Sequence, residues 1–420
     1  MMTLGIDVGK DRHNATLIND DGRKLIHNET FENNQEGVDK LIAAIEAVNV
    51  STKAVLVGME ATGHYWMNLF AALDRLDFVA VELINPIIMH ARRNESVRGA
   101  KTDRLDAHRI AKYLHEADHR VSAIAEGEVA ELRRLARLRY DLSHSATSEK
   151  MRIISLLDQV FPEYRHQFSN IFGVASLKVL AEFPTAEVIA RVDVRRLTRI
   201  LKTASRGRFG RDKAQRLKRA ARRSFAACKT SQALQIAIKY AIQQLNMLLD
   251  QVAELDKILK SFLKAEQEIL QSIPGIGGVW APMILAEIMP IFQPENVDGS
   301  RKLVAHAGLD AMPRLSGRNN SRQGGSFRMS KRGSKYLRTA VIQASNVAAL
   351  THRDPMFGAI YDRQKAKGKA HLVALSHVAH KMLHVIFAIL RDKKTYKPVI
   401  YQRTPRNEAH QERRRALVNQ

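Results

Sequence analysis

The first apolar run, TLGIDVG at 3–9, leads into a second run, HNATLIND at 13–20, instead of a glycine-rich turn and a helix. Asp20, Asp21 and Gly22 supply turn chemistry before a third run, RKLIHNETF. Three such runs predict an antiparallel meander. They exclude a Rossmann opening, in which the first strand enters a helix through a glycine-rich turn. Asn33 or Asn34 can cap a helix over 36–48, where Val38, Leu41, Ile42 and Ile45 share one face. A strand at KAVLVGM (53–59), a helix near 63–76 and a strand at 79–84 follow, and Pro86 marks the end of the regular pattern. A meander followed by helix–strand alternation predicts an α/β domain of the ribonuclease-H-like class.

Acidic residues end two of these runs. Asp7 closes the first and Glu60 closes KAVLVGME, while Asp103 and Asp106 stand three apart in KTDRLDAHRIAKYL, a segment with helical spacing. Strand ends and one helix face can bring such groups together, and converging carboxylates repel unless a cation joins them. Magnesium prefers oxygen ligands and keeps several waters, so three or four carboxylates suffice to hold it; manganese is the alternative occupant. Two such ions about 4 Å apart neutralise a scissile phosphate and stabilise the leaving oxygen of an in-line displacement. Asp7, Glu60, Asp103 and Asp106 are therefore the candidate metal ligands and catalytic acids. The plain alternative is a helix-capping Asp and a solvated strand-end Glu. Asp11 lies past the strand and reads as a turn residue.

From about 126 to 266 the chain reads as helical. Ile238, Ala241, Leu245, Leu248, Val252, Leu255, Leu259 and Phe262 alternate steps of three and four. Such a heptad seam predicts a coiled-coil hairpin or dimer contact, or else a long helix packed within its own domain. Pro162, Pro184, Gly207 and Gly210 divide the region. Further on, SIPGIGGVWAPMILAEI (272–288) sets a Pro-Gly-Ile-Gly turn before a helix, as in half of a helix-hairpin-helix or in a plain interhelical turn. Helix is expected again over 334–351 and 371–391, and disorder over the polar residues 400–420. The expected organisation is an α/β domain over 1–125, a helical region over 126–266, a mostly helical domain over 267–395 and a polar tail over 396–420.

Charge points to the partner. Lys and Arg number 67 against 43 Asp and Glu, a formal net charge of +24. Such a surplus attracts polyanions, and salt weakens the attraction through counterion release. It is clustered. Between Arg191 and Arg223 fourteen Lys or Arg stand against only Asp193 and Asp212, and SRGRFGR (205–211) sets glycine amides beside Arg206, Arg208 and Arg211. Phosphate contact is favoured over a solvated helix face. Nucleic acid is the expected partner and a membrane is not, since no segment nears ~20 uninterrupted apolar residues. With no leader-like N-terminus and Cys228 as its single cysteine, the protein is expected to be cytoplasmic and nucleoid-associated.

A second basic stretch contains Arg314, Arg318, Arg322, Arg328, Lys331, Arg332, Lys335 and Arg338 and no acid. Ser316, Ser321, Ser326, Ser330 and Ser334 are interleaved with them. A serine hydroxyl is a weak nucleophile until activated, and attack on phosphate requires its charge to be stabilised. Chemistry alone singles out no one serine, and a phosphate clamp with serines as neutral donors is the plain alternative.

GIDVGKD, GMEATGHYW and KTDRLDAHRIA resemble the three acidic motifs of the insertion-sequence 110 family of DEDD transposases, which includes the Piv-type site-specific invertases. AGLDAMPRLSG and SKRGSKYLR (within 307–338) are similar to that family's second conserved region, and FPTAEVIARVDVRRLTRILKTASRGRFG to its middle portion. The resemblance touches nearly the whole chain in the family's order. It implies a RuvC-like domain, a coiled-coil insertion and a C-terminal transposase domain. Together these would cut and rejoin donor and target DNA under a structured guide RNA made by the element. By position it gives Asp7, Glu60, Asp103 and Asp106 the four acidic roles. Its nucleophilic serine precedes a glycine after a Gly-Leu…Pro segment, here Gly308, Leu309 and Pro313 followed by Ser316 and Gly317. Arg318 stands where members often have a second glycine, and the intervening RNNSRQGGSF differs from the commonest spacing, which keeps Ser321 and Ser326 as alternatives. A homodimer or homotetramer is implied, with acidic and serine parts drawn from different subunits. The rival expectations are a RuvC-like junction endonuclease using metal-activated water, and a catalytically inert nucleic-acid-binding regulator.

Overall fold

Alternation along the first three runs produces an antiparallel meander of β1 (Met2–Val8), β2 (Arg12–Ile18) and β3 (Lys24–Glu32). The computed structural model describes residues 2–48, 54–93, 103–116, 125–228, 231–313 and 327–398, in two compact units, Met1–Ile124 and Ala125–Gln420. In the first unit α1 (Gln35–Val48) leads to β4 (Val55–Glu60), and α2 (Trp66–Leu73) leads to β5 (Val79–Ile84). β4 pairs in parallel with β1, and β5 with β4, giving the order β3-β2-β1-β4-β5 with β1 central. Parallel pairing requires a crossover, which the two helices supply. Of the two candidate asparagines Asn34 caps α1, its Oδ1 accepting from Gly37 N at 2.8 Å. Pro86 does not end the regular pattern. It opens α3 (Pro86–Arg93), because a proline in the first helical turn lacks only an amide that has no intrahelical partner.

One face of the sheet buries Leu4, Ile6, Val57 and Met59 among Leu41, Ile45 and Phe70. By alternation Thr3, Gly5 and Asp7 of β1, with Gly58 and Glu60 of β4, face the other way. There α4 (Asp103–Glu116) packs. A Cβ on Gly5 would meet Ala107 O at 2.1 Å and Ala111 N at 2.3 Å, so the helix backbone lies directly on the strand. Thr3 Oγ1 donates to Ala111 O at 3.2 Å, fixing the helix along β1.

In the second unit α5 (Gly127–Val160) leads into a lobe of short helices, α6 (Val174–Glu182), α7 (Ala186–Arg191), α8 (Val194–Ala204) and α9 (Arg211–Arg222), before α10 (Gln232–Leu259) returns. Leu132 and Ala136 of α5 share a core with Leu259, and Ile153 and Leu157 share another with Ile238 and Ala241, so the two long helices are antiparallel. The heptad seam lies along this pairing. Ile238, Ala241, Leu245, Leu248, Leu255 and Leu259 are buried, and Val252 and Phe262 half-buried.

The remaining helices are α11 (Lys264–Gln271), α12 (Trp280–Ile288), α13 (Gly299–Ala307), α14 (Lys335–Asn346), α15 (Pro355–Ala366) and α16 (His371–Asp392). A short hairpin of β6 (Ala311–Pro313) and β7 (Phe327–Met329) stands between α13 and α14. Gly275 in the Pro-Gly-Ile-Gly turn has φ +90°, and a Cβ there would meet Ala344 O at 2.2 Å, so the turn serves the approach of α14. α16 is long and apolar enough to cross a membrane by composition. Its Leu375, Val378, Met382, Leu383 and Ile386 are nevertheless buried in the core shared with α13, α14 and α15.

Gly5→Val is expected to lift α4 from the sheet at a cost of roughly 3 kcal/mol or more. Amide exchange across 103–116 checks this, and protection equal to that of the wild type would show that the helix does not depend on Gly5.

Candidate catalytic site and nucleic-acid interface

β1 and β4 pair with Ile6 opposite Met59, so Asp7 and Glu60 follow as neighbours on adjacent strands and face the same side. Thr3 sits beside Ala111, and Gly5 between Ala107 and Ala111, so α4 runs antiparallel to β1. Two residues of strand advance ~6.6 Å and four residues of helix ~6 Å. One further step along each element reaches Asp7 on the strand and the turn beginning at Asp103 on the helix. The backbone thereby lays the first turn of α4 over Asp7 and Glu60.

Asp106 is 3% exposed and Glu60 7%, while Asp7 is half-buried. Arg109 Nη1 donates to Asp106 Oδ1 at 2.9 Å and offsets part of the negative charge. The Asp103 side chain lies outside the described residues. Among the described residues no group of three His, Cys, Asp or Glu side chains is arranged as a metal site. The donor set does suit a hard divalent cation, because the groups gathered at this end of the sheet are carboxylates, without thiolate.

Register adds two residues that periodicity does not reveal. Asn14 lies directly across from Asp7 on β2 and shares its face, an amide neighbour able to donate to a carboxylate. Glu82 on β5 lies across from Gly58, faces α4 and is 8% exposed. Only the inter-strand pairing identifies either one.

Ser316, Ser321 and Ser326, with Arg314, Arg318 and Arg322, lie outside the described residues, as does the Arg328 side chain. The strands that bracket them are paired, Ala311 with Met329 and Pro313 with Phe327, so both ends of 314–326 start from one hairpin. The other two serines have backbone-fixing roles. Ser330 Oγ donates to the Asp310 carboxylate, and Ser334 Oγ accepts from Leu337 N at 3.1 Å as the N-cap of α14. Lys331, Arg332 and Lys335 are exposed where the chain leaves the hairpin. Arg338, also expected to contact phosphate, has a structural bond as well. It is half-buried and donates to Ala307 O at 2.9 Å, closing the end of α13.

Near this hairpin lies a fully buried carboxylate, Glu287 on α12. Arg137 of α5 donates to both its oxygens, at 2.6 and 2.9 Å, and Arg133 Nη2 lies 3.5 Å away. His306 Nε2 of α13 stands at 3.9 Å. Burial alone would raise the Glu287 pKa, but His306, Arg137 and Arg133 hold it well below the usual carboxylate range. Arg137 also covers the Tyr336 ring at 4.8 Å, so the cluster links α5, α12, α13 and α14.

In the helical lobe, Arg206 and Gly207 have φ of +54° and +86°. Gly207 N donates to Lys202 O at 2.8 Å and Arg206 N to Thr203 O at 3.3 Å, a Schellman closure of α8. Phe209 N donates to Ser205 Oγ at 2.8 Å. These amides are taken up by the helix end, so the glycines do not present them to phosphate as SRGRFGR suggests. The guanidiniums of Arg206, Arg208 and Arg211 remain exposed. Other cations of the run are structural. Lys218 donates to Ala190 O at 2.8 Å and to Val192 O, Arg196 pairs with Glu182 at 3.6 Å, and Lys213 lies 4.4 Å over the Phe168 ring.

Known proteins are similar to this chain in sequence over nearly its whole length. A family profile described as "Transposase" matches residues 4–162, and another, "Transposase IS116/IS110/IS902 family", matches 267–362. The 44.8 kDa protein of insertion element IS116 from Streptomyces clavuligerus is 25% identical over 94% of this chain and 96% of its own. The 42 kDa protein of insertion element IS900 from Mycobacterium paratuberculosis is 24% identical over 94% and 96%. The pilin gene-inverting protein of Moraxella bovis is 22% identical over 95% and 98%. The acidic sheet and the basic hairpin thus fall in two blocks that define a DNA transposase. The chain belongs to the IS110 family of these enzymes.

Glu287→Gln leaves Arg137 and Arg133 without their carboxylate and is expected to destabilise the protein by about 3 kcal/mol at neutral pH. A depressed folded-state pKa adds stability above the unfolded value, near ~4.3 for Glu, and that stability drains as pH falls toward the folded value. The gap between wild type and variant in denaturant midpoint should therefore narrow in acid. A gap independent of pH would show that the charge of Glu287 contributes nothing.

Proposed function

We propose that the chain cuts and rejoins DNA strands through a serine–phosphate intermediate, assisted by a metal-binding acidic cluster and directed by a structured guide RNA. The observation that carries this reading is the alignment of Asp7 and Glu60, neighbours in register, beneath the first turn of α4. A meander continued by two parallel strands supports a RuvC-like, ribonuclease-H-type identity for 1–125. On the same reading 126–266 is a coiled-coil region, 267–395 the transposase domain and 396–420 a tail.

Asp7, Glu60, Asp103 and Asp106 would hold magnesium, or manganese, which when bound neutralises the scissile phosphate and supports charge on the departing oxygen. Asn14 positions the Asp7 carboxylate. Ser316 Oγ attacks phosphorus, the bond from phosphorus to the 3′ oxygen breaks, and the serine proton passes to that oxygen. A 5′-phosphoserine and a 3′-hydroxyl result. After strand exchange a 3′-hydroxyl attacks the same phosphorus, the bond to Oγ breaks and the proton returns to serine. One ester replaces another at each step, so no external energy source is required. Arg314, Arg318, Arg322, Arg328, Lys331, Arg332 and Lys335 surround the reacting phosphate with positive charge, and Arg206, Arg208 and Arg211 contact phosphates elsewhere. The working assembly is a homodimer or homotetramer acting on donor and target DNA.

Site-specific inversion is the second reading. It is favoured by the pilin gene-inverting relatives, which align over 95% of this chain. The strand chemistry is the same, and only the arrangement of the two sites differs.

Trapping covalent protein–DNA with the RNA transcribed beside the gene tests the nucleophile. Ser316→Ala is expected to form no adduct, and an adduct from that variant would remove Ser316 from the role. A wild type that yields 5′-phosphate ends without any adduct would favour metal-activated water instead. Asp7→Asn is expected to retain DNA binding and lose roughly 10³-fold in cleavage; full cleavage would eliminate its metal role.

A further inference from the structure

The helical lobe contains a cavity that neither the acidic cluster nor the serine segment uses. It lies between α6, α8 and α10 with a volume of about 700 Å³. That falls within the roughly 300–1,000 Å³ common for small-molecule sites. Phe172, Leu177, Ile200 and Leu249 make it apolar, while Lys178 and Arg199 stand on its wall. Asn246 and Thr203 add an amide and a hydroxyl.

The cavity is not isolated. Arg199 and Thr203 also line a cleft of about 300 Å³ shared with Arg195, Lys202 and Arg211. Val174 and Ala204 are shared with another cleft, of about 520 Å³, which reaches Arg206, Arg208 and Phe209. Among the described residues no acidic side chain lines these three clefts. An apolar pocket thus sits midway along a track of cations, and Val174 at its edge is 75% exposed.

Each half of this arrangement asks for a different part of one ligand. The cations suit a chain of phosphates. An intact duplex would satisfy them but keep its bases stacked, leaving the pocket empty. An unstacked base fills it, with its ring on the apolar floor and its polar edge toward Asn246 or Thr203. Presenting unpaired, splayed-out bases to such pockets is the ordinary mode of sequence-specific RNA recognition.

We propose that this cavity receives an unpaired base of a bound RNA strand, with the flanking phosphates on Lys178, Arg199 and Lys202. The assignment rests on the guide-RNA reading and gives that RNA a contact on the lobe.

The test compares the full chain binding an RNA hairpin with one unpaired 2-aminopurine and the same hairpin fully paired, both in EDTA so that the acidic cluster takes no part. The bulged hairpin is expected to bind about tenfold tighter or more, with a change in 2-aminopurine fluorescence. Leu249→Trp, which fills the pocket from the solvent side of α10, should abolish the preference while paired-hairpin binding and the melting temperature hold. Arg199→Ala should weaken both hairpins and lower the slope of log affinity against log salt by about one. Equal binding of paired and bulged RNA overturns the proposal. So does a bulged DNA hairpin that binds as tightly as RNA. A Leu249→Trp variant that keeps the preference but changes the oligomeric state would make the cavity a protein contact. If the preference is absent while Ser316 still forms its guide-dependent adduct, the pocket falls and the recombinase reading stands.

Discussion

Contact between β1 and α4 at Gly5 is the constraint on which the acidic site depends. Carboxylates brought within about 4 Å oppose one another by roughly 4 kcal/mol in a half-buried setting, so their approach must be driven by packing elsewhere. The packing comes from the same helix. Ala107, Ile110, Ala111 and Leu114 are fully buried against the sheet, and Thr3 ties the far end to Ala111. Small groups at Gly5, Ala107 and Ala111 reduce the gap between helix and strand to its minimum. The acids that end β1 and β4 then come within reach of the turn that starts α4. Arg109 compensates Asp106 from within the helix.

The second unit positions its segment by a different device. A buried ion pair such as Arg137–Glu287 is weak evidence for stability, because desolvation offsets much of its attraction. Its geometry is more informative. The bidentate fork fixes α12 against α5, and Arg137 simultaneously covers Tyr336 near the start of α14. Ser330 on Asp310, Ser334 N on His306 O and Arg338 on Ala307 O then bind the chain after β7 to the end of α13. Residues 314–326 depart from and return to a frame cross-linked on several sides.

Some of this was legible in the sequence. The meander, the strand-end positions of Asp7 and Glu60, and the helical spacing of Asp103 and Asp106 each depend on local periodicity, which a single chain displays. Asn14 and Glu82 depend on which residue faces which across neighbouring strands, and no local pattern encodes that. Pro86 looks like a breaker because a proline tolerated at a helix start has the same letter as one that ends a helix. Ser330 and Ser334 are indistinguishable by composition from the other serines of the stretch, since only their partners, Asp310 and Leu337 N, reveal their roles. The glycines of SRGRFGR suggest an open backbone, but the amides of Arg206, Gly207 and Phe209 are taken up at the end of α8.

That last difference shifts the source of positive charge in the lobe from backbone to side chain. Leu197, Leu201, Ala214 and Leu217 supply the lobe with an apolar core, Lys218, Arg196 and Lys213 brace it, and Arg206, Arg208 and Arg211 stay exposed around it. Burial and then the neighbouring Arg216 lower the Lys213 pKa, and burial and then Arg222 lower that of Lys218. A basic surface gains free energy when a polyanion arrives, both by direct neutralisation and by release of the polyanion's condensed counterions. Because the guanidiniums carry this charge on flexible stems, the surface can follow an irregular phosphate path that rigid backbone amides could not.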